Sequence, residues 1–121
     1  MREIEFRAWN GESWIYSECI SKDNDIWRIL NHEDDEWWAC LEPQQYTSLQ
    51  DEKGKEIYEG DIVKFHYKKD IYKIGPVVWN DLFGSWDIDC PDFVAYKSLG
   101  QFKSVSEVIG NIYENPELLE R

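Results

Sequence analysis

Two histidines, three cysteines and 25 acidic side chains are what this 121-residue chain offers to chemistry. Their spacing decides which reactions are open to it. A metal site wants His, Cys or carboxylate ligands at short, characteristic separations. His32 and His66 lie far apart, and Cys19, Cys40 and Cys90 have no neighbour of that kind. No metal and no cofactor is therefore expected. Asp87, Asp89 and Asp92 alternate, but the segment lacks the glycine and terminal glutamate of an EF-hand loop, and a solvent-facing strand edge accounts for them. Nucleophilic catalysis needs a Ser or Cys within reach of an oriented base. The sequence holds no Gly-x-Ser-x-Gly elbow, and its cysteines sit in apolar or strand contexts that suit small buried thiols. Gly54 between Lys53 and Lys55 is the nearest approach to a phosphate cradle and reads as a hairpin turn. So many acids could furnish a carboxylate pair for glycoside hydrolysis that their abundance is uninformative. No catalytic residue is assigned, and the chain is expected not to be an enzyme.

Binding surfaces are easier to place. Net charge is −12; residues 1–60 carry 15 acidic and 6 basic side chains, and residues 61–121 carry 10 and 7. Such a field repels phosphate backbones, so direct nucleic-acid binding is disfavoured. The one basic concentration, Lys64, Lys68, Lys69 and Lys73, reads as the solvated surface of an exposed hairpin. Glu33, Asp34, Asp35 and Glu36 are consecutive and form a solvated loop, followed directly by Trp37 and Trp38. Aromatics are enriched at the centres of protein interfaces. Five or so of the seven tryptophans are expected to fill the core. Of the adjacent pair Trp37 and Trp38, which must face opposite sides of a strand, one is expected to be exposed or covered by a partner.

These residues must be positioned by strands. The aromatic-rich composition favours sheet, and Glu3–Ala8 alternates, with Ile4, Phe6 and Ala8 on one face and charges on the other. Asn10-Gly11 then turns the chain into a returning strand over Trp14–Ile20, giving an N-terminal hairpin. Ile26–Leu30 and Trp37–Leu41 read as strands, and Pro43 ends the second. Gln45–Leu49 is a short strand, Asp51–Gly54 a turn, and Glu59-Gly60 a second turn opening the strand Asp61–Tyr67. Ile74–Trp79 follows, its Gly75-Pro76 suggesting a bulge or an edge. Trp86, Ile88 and Cys90 share one face of a further strand. Val108-Ile109 is the last, closed by Gly110. Asn115-Pro116-Glu117 has the signature of a helix start, with Asn as cap.

Three blocks carry a resemblance: Arg2–Trp9, Gln45–Leu49 with Gly54–Val63, and Val108–Leu119. In order and spacing they resemble the YopX family, small phage and prophage proteins of Gram-positive bacteria, over nearly the whole chain. The family pattern has Gly where Ser48 stands. The resemblance implies a β-rich fold with a small barrel-like core and implies no activity. Glu59–Val63 with Gly75–Trp79 is also similar to SH3-like barrels, where Asp61 would bond nearby backbone. The expected architecture is mainly β: a single domain over 1–121 built as a small, partly open β-barrel with an SH3-like element, an N-terminal β-hairpin and a short C-terminal helix.

The expected function is a protein-interaction or assembly module using Trp37, Trp38 and the acids 33–36, with self-association as one form of it. The alternative is an acidic DNA mimic, or a nucleic-acid-associated accessory protein, acting on a host DNA-binding protein. Apolar runs fall well short of the roughly 20 residues a membrane helix needs. The odd, unspaced cysteines and the absence of an export signal point to the cytoplasm.

Overall fold

Strand predominates among the residues that the computed structural model describes, 3–90 and 97–120, and no sheet closes into a barrel. Contacts cluster into two units, Met1–Tyr46 and Thr47–Arg121.

In the first unit, β1 (Phe6–Trp9) and β2 (Trp14–Ser17) form the expected hairpin, with Trp9 paired to Trp14. Asn10 makes the turn: its Oδ1 accepts the N–H groups of Glu12 and Ser13 at 2.9 and 2.8 Å, the local side-chain bonding that suits Asn to turns. The returning strand stops at Ser17 rather than Ile20, because the Cys19 N–H turns back onto Ser17 Oγ at 3.1 Å. A three-stranded sheet follows: β3 (Ile20–Asp23), β4 (Ile26–Asn31) and β5 (Glu36–Cys40), with β4 in the middle. Asn24 and Asp25, both at positive φ (50° and 64°), form the tight β3–β4 turn, the geometry of a two-residue hairpin. The core of this unit is small: Ala8, Ile15 and Ile29, with Ile20 and Cys40 against them.

Two edges of the opening alternation differ from expectation. Ile4 lies before the paired part of the strand and is 62% exposed. Arg7 is buried, its Nε donating to Gln44 Oε1 at 2.9 Å and its guanidinium lying 4.3 Å from the Trp14 ring centroid. The long stem and planar head let it be buried while remaining bonded.

The strand β6 (Gln44–Gln50) pairs with β1 through Gln44 and Gln45 and then enters the second unit, where its sheet neighbour is β7 (Glu56–Tyr58). Ser48 sits within it at φ 68°, a left-handed conformation that costs a residue bearing Cβ but not glycine. The position at which the YopX pattern has Gly is thus one where the backbone favours it. Ser48→Gly is expected to stabilise the protein by up to about 1 kcal/mol, read as a higher urea midpoint with an unchanged slope.

The rest of the second unit is a five-stranded antiparallel sheet in the order β11 (Lys97–Ser98), β10 (Ser85–Ile88), β9 (Ile71–Asn80), β8 (Asp61–Lys68), β12 (Ser106–Asn111). A one-turn helix α1 (Leu99–Phe102) precedes β12. Ile57, Val63, Phe65, Val77, Ile88, Cys90 and Leu99 form the core. As expected, Asp61 works structurally: its Oδ2 accepts the Tyr58 N–H at 2.8 Å across the Gly60 turn.

Gly75 and Pro76 mark neither an edge strand nor a bulge, since β9 lies between β8 and β10 and Gly75 pairs in register with Val63. A Cβ at Gly75 would meet the Asp89 carbonyl, so glycine is there for close backbone approach. Beyond the Val77–Ile88 pair the Asp89 N–H still donates to the Pro76 carbonyl at 2.9 Å, so the proline keeps one of the two backbone bonds of that position and lacks only its own donor.

Gly110 lies inside β12 rather than closing it. A Cβ there would collide with the side chain of Asn115, whose Oδ1 accepts the Asn111 N–H at 3.2 Å. Asn115 therefore does not cap the C-terminal helix, which is a single 3-10 turn over Pro116–Leu119. No helix among the described residues is long and apolar enough to cross a membrane.

Candidate functional site

The acidic loop between β4 and β5 is ordered by its own side chains. Asn31 Oδ1 accepts the Glu33 N–H and Asp34 Oδ1 the Glu36 N–H, each at 3.0 Å, and the Asp35 N–H closes onto the Asn31 carbonyl at 2.8 Å. Asp35 takes the left-handed turn position at φ 61°. The Asp34 carboxylate also receives Trp38 Nε1–H, at 3.0 and 3.3 Å to its two oxygens. One acid thus fixes both the loop and the ring beside it. Glu33, Asp34, Asp35 and Glu36 are exposed.

Trp37 and Trp38 are both exposed, at 49% and 40%. Register puts them on opposite faces, as expected: Trp38 pairs with Ile29, whose side chain enters the core, and Trp37 pairs with Leu30 on the other face. What alternation alone did not reveal is that the core-facing side is uncovered at this end. Trp38 there borders an open groove of about 440 Å³, lined also by Trp14, Tyr16, Asn10, His32 and Glu33. Trp14 and Tyr16 escaped the sequence reading because only the fold of β2 brings them to the groove.

None of the seven tryptophans is fully buried, against the expectation that most would fill the core. Five of them, Trp9, Trp14, Trp27, Trp79 and Trp86, pack against one another or against a cation. Trp9 and Trp14 pack 5.1 Å apart, and Trp79 meets Trp86 edge-on at 4.9 Å. The Lys22 ammonium stands 5.2 Å from the Trp27 centroid. Such contacts use the ring faces at the sheet surface, while Trp86 also packs against the second core and has its Nε1 buried without a hydrogen-bond partner.

One titratable cluster borders the groove. His32 Nε2 lies 3.1 Å from both oxygens of Glu18 and 3.3 Å from Ser17 Oγ. A carboxylate only accepts, so Nε2 carries the proton toward Glu18. It is then no base for Ser17, and the carboxylate occupies the nitrogen that a hydroxyl nucleophile would need. Backbone hydrogen bonding, followed by His32, holds the Glu18 carboxyl below its ordinary value. Burial pushes the thiols of Cys40 and Cys19 up, with Glu18 adding to the shift of Cys19, which lowers their thiolate fraction and hence their nucleophilicity. Cys90 is fully buried in the second core. Among the described residues no three His, Cys, Asp or Glu side chains converge as a metal site would require.

Two further surfaces belong to the second unit. The β8–β9 hairpin carries the lysines, with Lys64 Nζ 4.0 Å from the Tyr72 centroid and Lys68 Nζ 5.4 Å from that of Tyr67. The β9–β10 turn presents Leu82 and Phe83, 83% and 75% exposed. Asn80 anchors that turn: its Oδ1 accepts the Leu82 N–H at 3.0 Å, and its Nδ2 donates to Asp87 Oδ2 at 2.8 Å. Ser85 Oγ donates to the other Asp87 oxygen at 2.9 Å. Asp87 is therefore a buried structural carboxylate, not a solvent-facing edge residue; Asp92 lies outside the described residues.

Comparison with known proteins bears on family and fold. A family model described as YopX protein matches residues 5–120. The structure is similar to the crystal structure of protein EF1440 from Enterococcus faecalis, with a TM-score of 0.60 and 24% sequence identity over 99% of this chain and 100% of that one. No curated protein matches the chain.

Proposed function

The chain belongs to the YopX family, and from that premise we propose that it is a prophage-derived, cytoplasmic, non-enzymatic protein-interaction module that recognises a cationic segment of another protein. The observation that carries this reading is the exposed Trp38 ring bonded to Asp34 at the mouth of a groove walled by Trp14 and Tyr16. Aromatic faces attract ammonium and guanidinium groups, and Glu33, Asp34, Asp35 and Glu36 supply the opposite charge within the same turn. The second unit serves as scaffold, with the Gly60–Asp61 turn and the β8–β9 pair as its SH3-like element.

In the alternative, the acidic row imitates phosphates and the target is a DNA-binding protein. Both versions require a cationic partner, and competition by duplex DNA separates them. A lysine- and arginine-rich peptide, titrated while Trp emission is followed, is expected to bind with an affinity that falls as salt rises. Glu33→Gln, Asp34→Asn, Asp35→Asn and Glu36→Gln combined should weaken it at least about tenfold, the cost of several screened charge contacts. Undiminished binding by that variant, or no binding by the parent protein, would overturn the proposal.

A further inference from the structure

We propose that β5 pairs with β5 of a second copy, antiparallel about Trp38, joining two three-stranded sheets into one of six strands. The argument begins with where the backbone groups point. In an antiparallel ladder successive residues direct their N–H and C=O alternately to the two sides. The Leu30 N–H donates to the Cys19 carbonyl ahead of β3, so Leu30 and Arg28 face β3, while Ile29 and Asn31 face β5. Their side of the ladder takes Trp38 opposite Ile29 and Cys40 opposite Trp27; the backbone groups of Trp38 and Cys40 are therefore directed at β4, while the Glu36 N–H closes onto Asp34 Oδ1 within the loop. Trp37 and Ala39 flank Trp38 on the strand, and their N–H and C=O groups project from the edge that no other described strand pairs with. Just beyond, the Leu41 N–H also points outward and bonds the Trp9 carbonyl at 2.9 Å, which confirms the phase and ends the open stretch.

This edge lacks the usual protection. Natural edge strands are blunted by lysine, proline or a bulge. The opposite edge strand, β3, presents exposed Lys22 and Asp23, whereas β5 reads Glu-Trp-Trp-Ala-Cys in unbroken register, its only charge at the first position. An exposed, apolar, unbulged edge is a template for another strand.

Charge selects the occupant's direction. Side-by-side parallel pairing would stack the two acidic turns. Antiparallel pairing about Trp38 sets Glu36 opposite Cys40 of the second copy. The two Glu36 residues then stand about 13 Å apart, four residues at roughly 3.3 Å each, beyond the screening length of about 8 Å at physiological salt. In that register Trp37 and Ala39 of each copy exchange both backbone bonds. Trp38 meets Trp38 of the second copy at a non-hydrogen-bonded position, where cross-strand side chains approach most closely and aromatic pairs contribute most.

The pairing goes beyond the cationic-segment reading, and its salt response has the opposite sign. Copies that each carry −12 repel, so self-pairing strengthens as salt rises, whereas a cationic peptide binds more weakly. Light scattering after size exclusion, from micromolar to millimolar protein at low and high salt, is expected to give a dimer that salt favours. Amide exchange at Trp37 and Ala39 should slow as concentration increases. Ala39→Pro deletes only an outward N–H and spares the β4 ladder, so it should fold normally and raise the dimer dissociation constant at least about tenfold. A monomer at every concentration in both salts would overturn the proposal, as would a dimer indifferent to Ala39→Pro. Peptide binding by a monomeric protein would leave the cationic-segment reading standing.

Discussion

Phe65→Ala is expected to destabilise the protein by about 3–5 kcal/mol, the range for emptying a well-packed aromatic site. Phe65 lies on β8, flanked in the sheet by β9 and β12, has no exposed surface and packs against Phe102 at 5.3 Å between centroids. Its neighbours Val63, Val77, Ile88 and Leu99 come from β8, β9, β10 and α1, so truncation leaves a cavity that no single element can collapse to fill. Against a total stability of about 5–15 kcal/mol for an ordinary domain, the loss is severe. His66→Ala, one residue along the same strand but exposed, should stay within about 0.5 kcal/mol. Urea unfolding followed by far-ultraviolet circular dichroism measures both. A cost below about 1.5 kcal/mol for Phe65→Ala would show that the second core is not organised around this ring.

Asp51→Ala should cost about 2–4 kcal/mol, because one buried carboxylate ties two distant segments together. Its Oδ1 accepts the N–H groups of Lys53 and Lys55 at 2.9 Å each, closing the turn. Its Oδ2 accepts the N–H of Val108 at 3.0 Å, on β12. Removing it frees donors in the turn that water can reach and leaves the Val108 N–H without its partner, the expensive half of the change. Burial by itself would raise the Asp51 carboxyl, but the N–H groups of Val108, Lys55 and Lys53 outweigh it and hold the group below its ordinary value. The unfolded chain therefore binds this proton more readily than the folded one. The stabilisation is fully present above the unfolded carboxylate value of about 4 and is lost as pH falls through the lower folded value. The stability gap between the parent protein and Asp51→Asn should accordingly narrow on acidification. A gap constant down to strongly acidic pH would refute the assignment.

Features decided within a few residues were legible in the sequence: the Asn10 turn, the Asp51–Gly54 turn, the Asp61 bond to its own hairpin, and the acidic loop ahead of Trp37. Features that depend on what arrives from elsewhere were not. Alternation correctly placed Trp37 and Trp38 on opposite faces, but coverage of a face is set by the packing of β2, β4 and β5. Gly75 looked like a local irregularity until the Asp89 backbone filled the space beside it, and Asp87 looked solvated until Asn80 and Ser85 closed over it. Leu82 and Phe83 left a faint signal, two large apolar residues caught between Asn80-Asp81 and Gly84. The groove itself had none, since Trp14 and Tyr16 belong to β2 and Trp38 to β5, strands that are distant in sequence.

The surface placement of the tryptophans also determines what light can report about this molecule. With all seven indoles partly hydrated, native emission should already be red-shifted and readily quenched by acrylamide. Unfolding should then change it little, while a docked peptide or a second strand at Trp38 should change it clearly. Fluorescence here is a gauge of contact at the surface, and the integrity of the tryptophan-poor interior has to be followed by other spectroscopies.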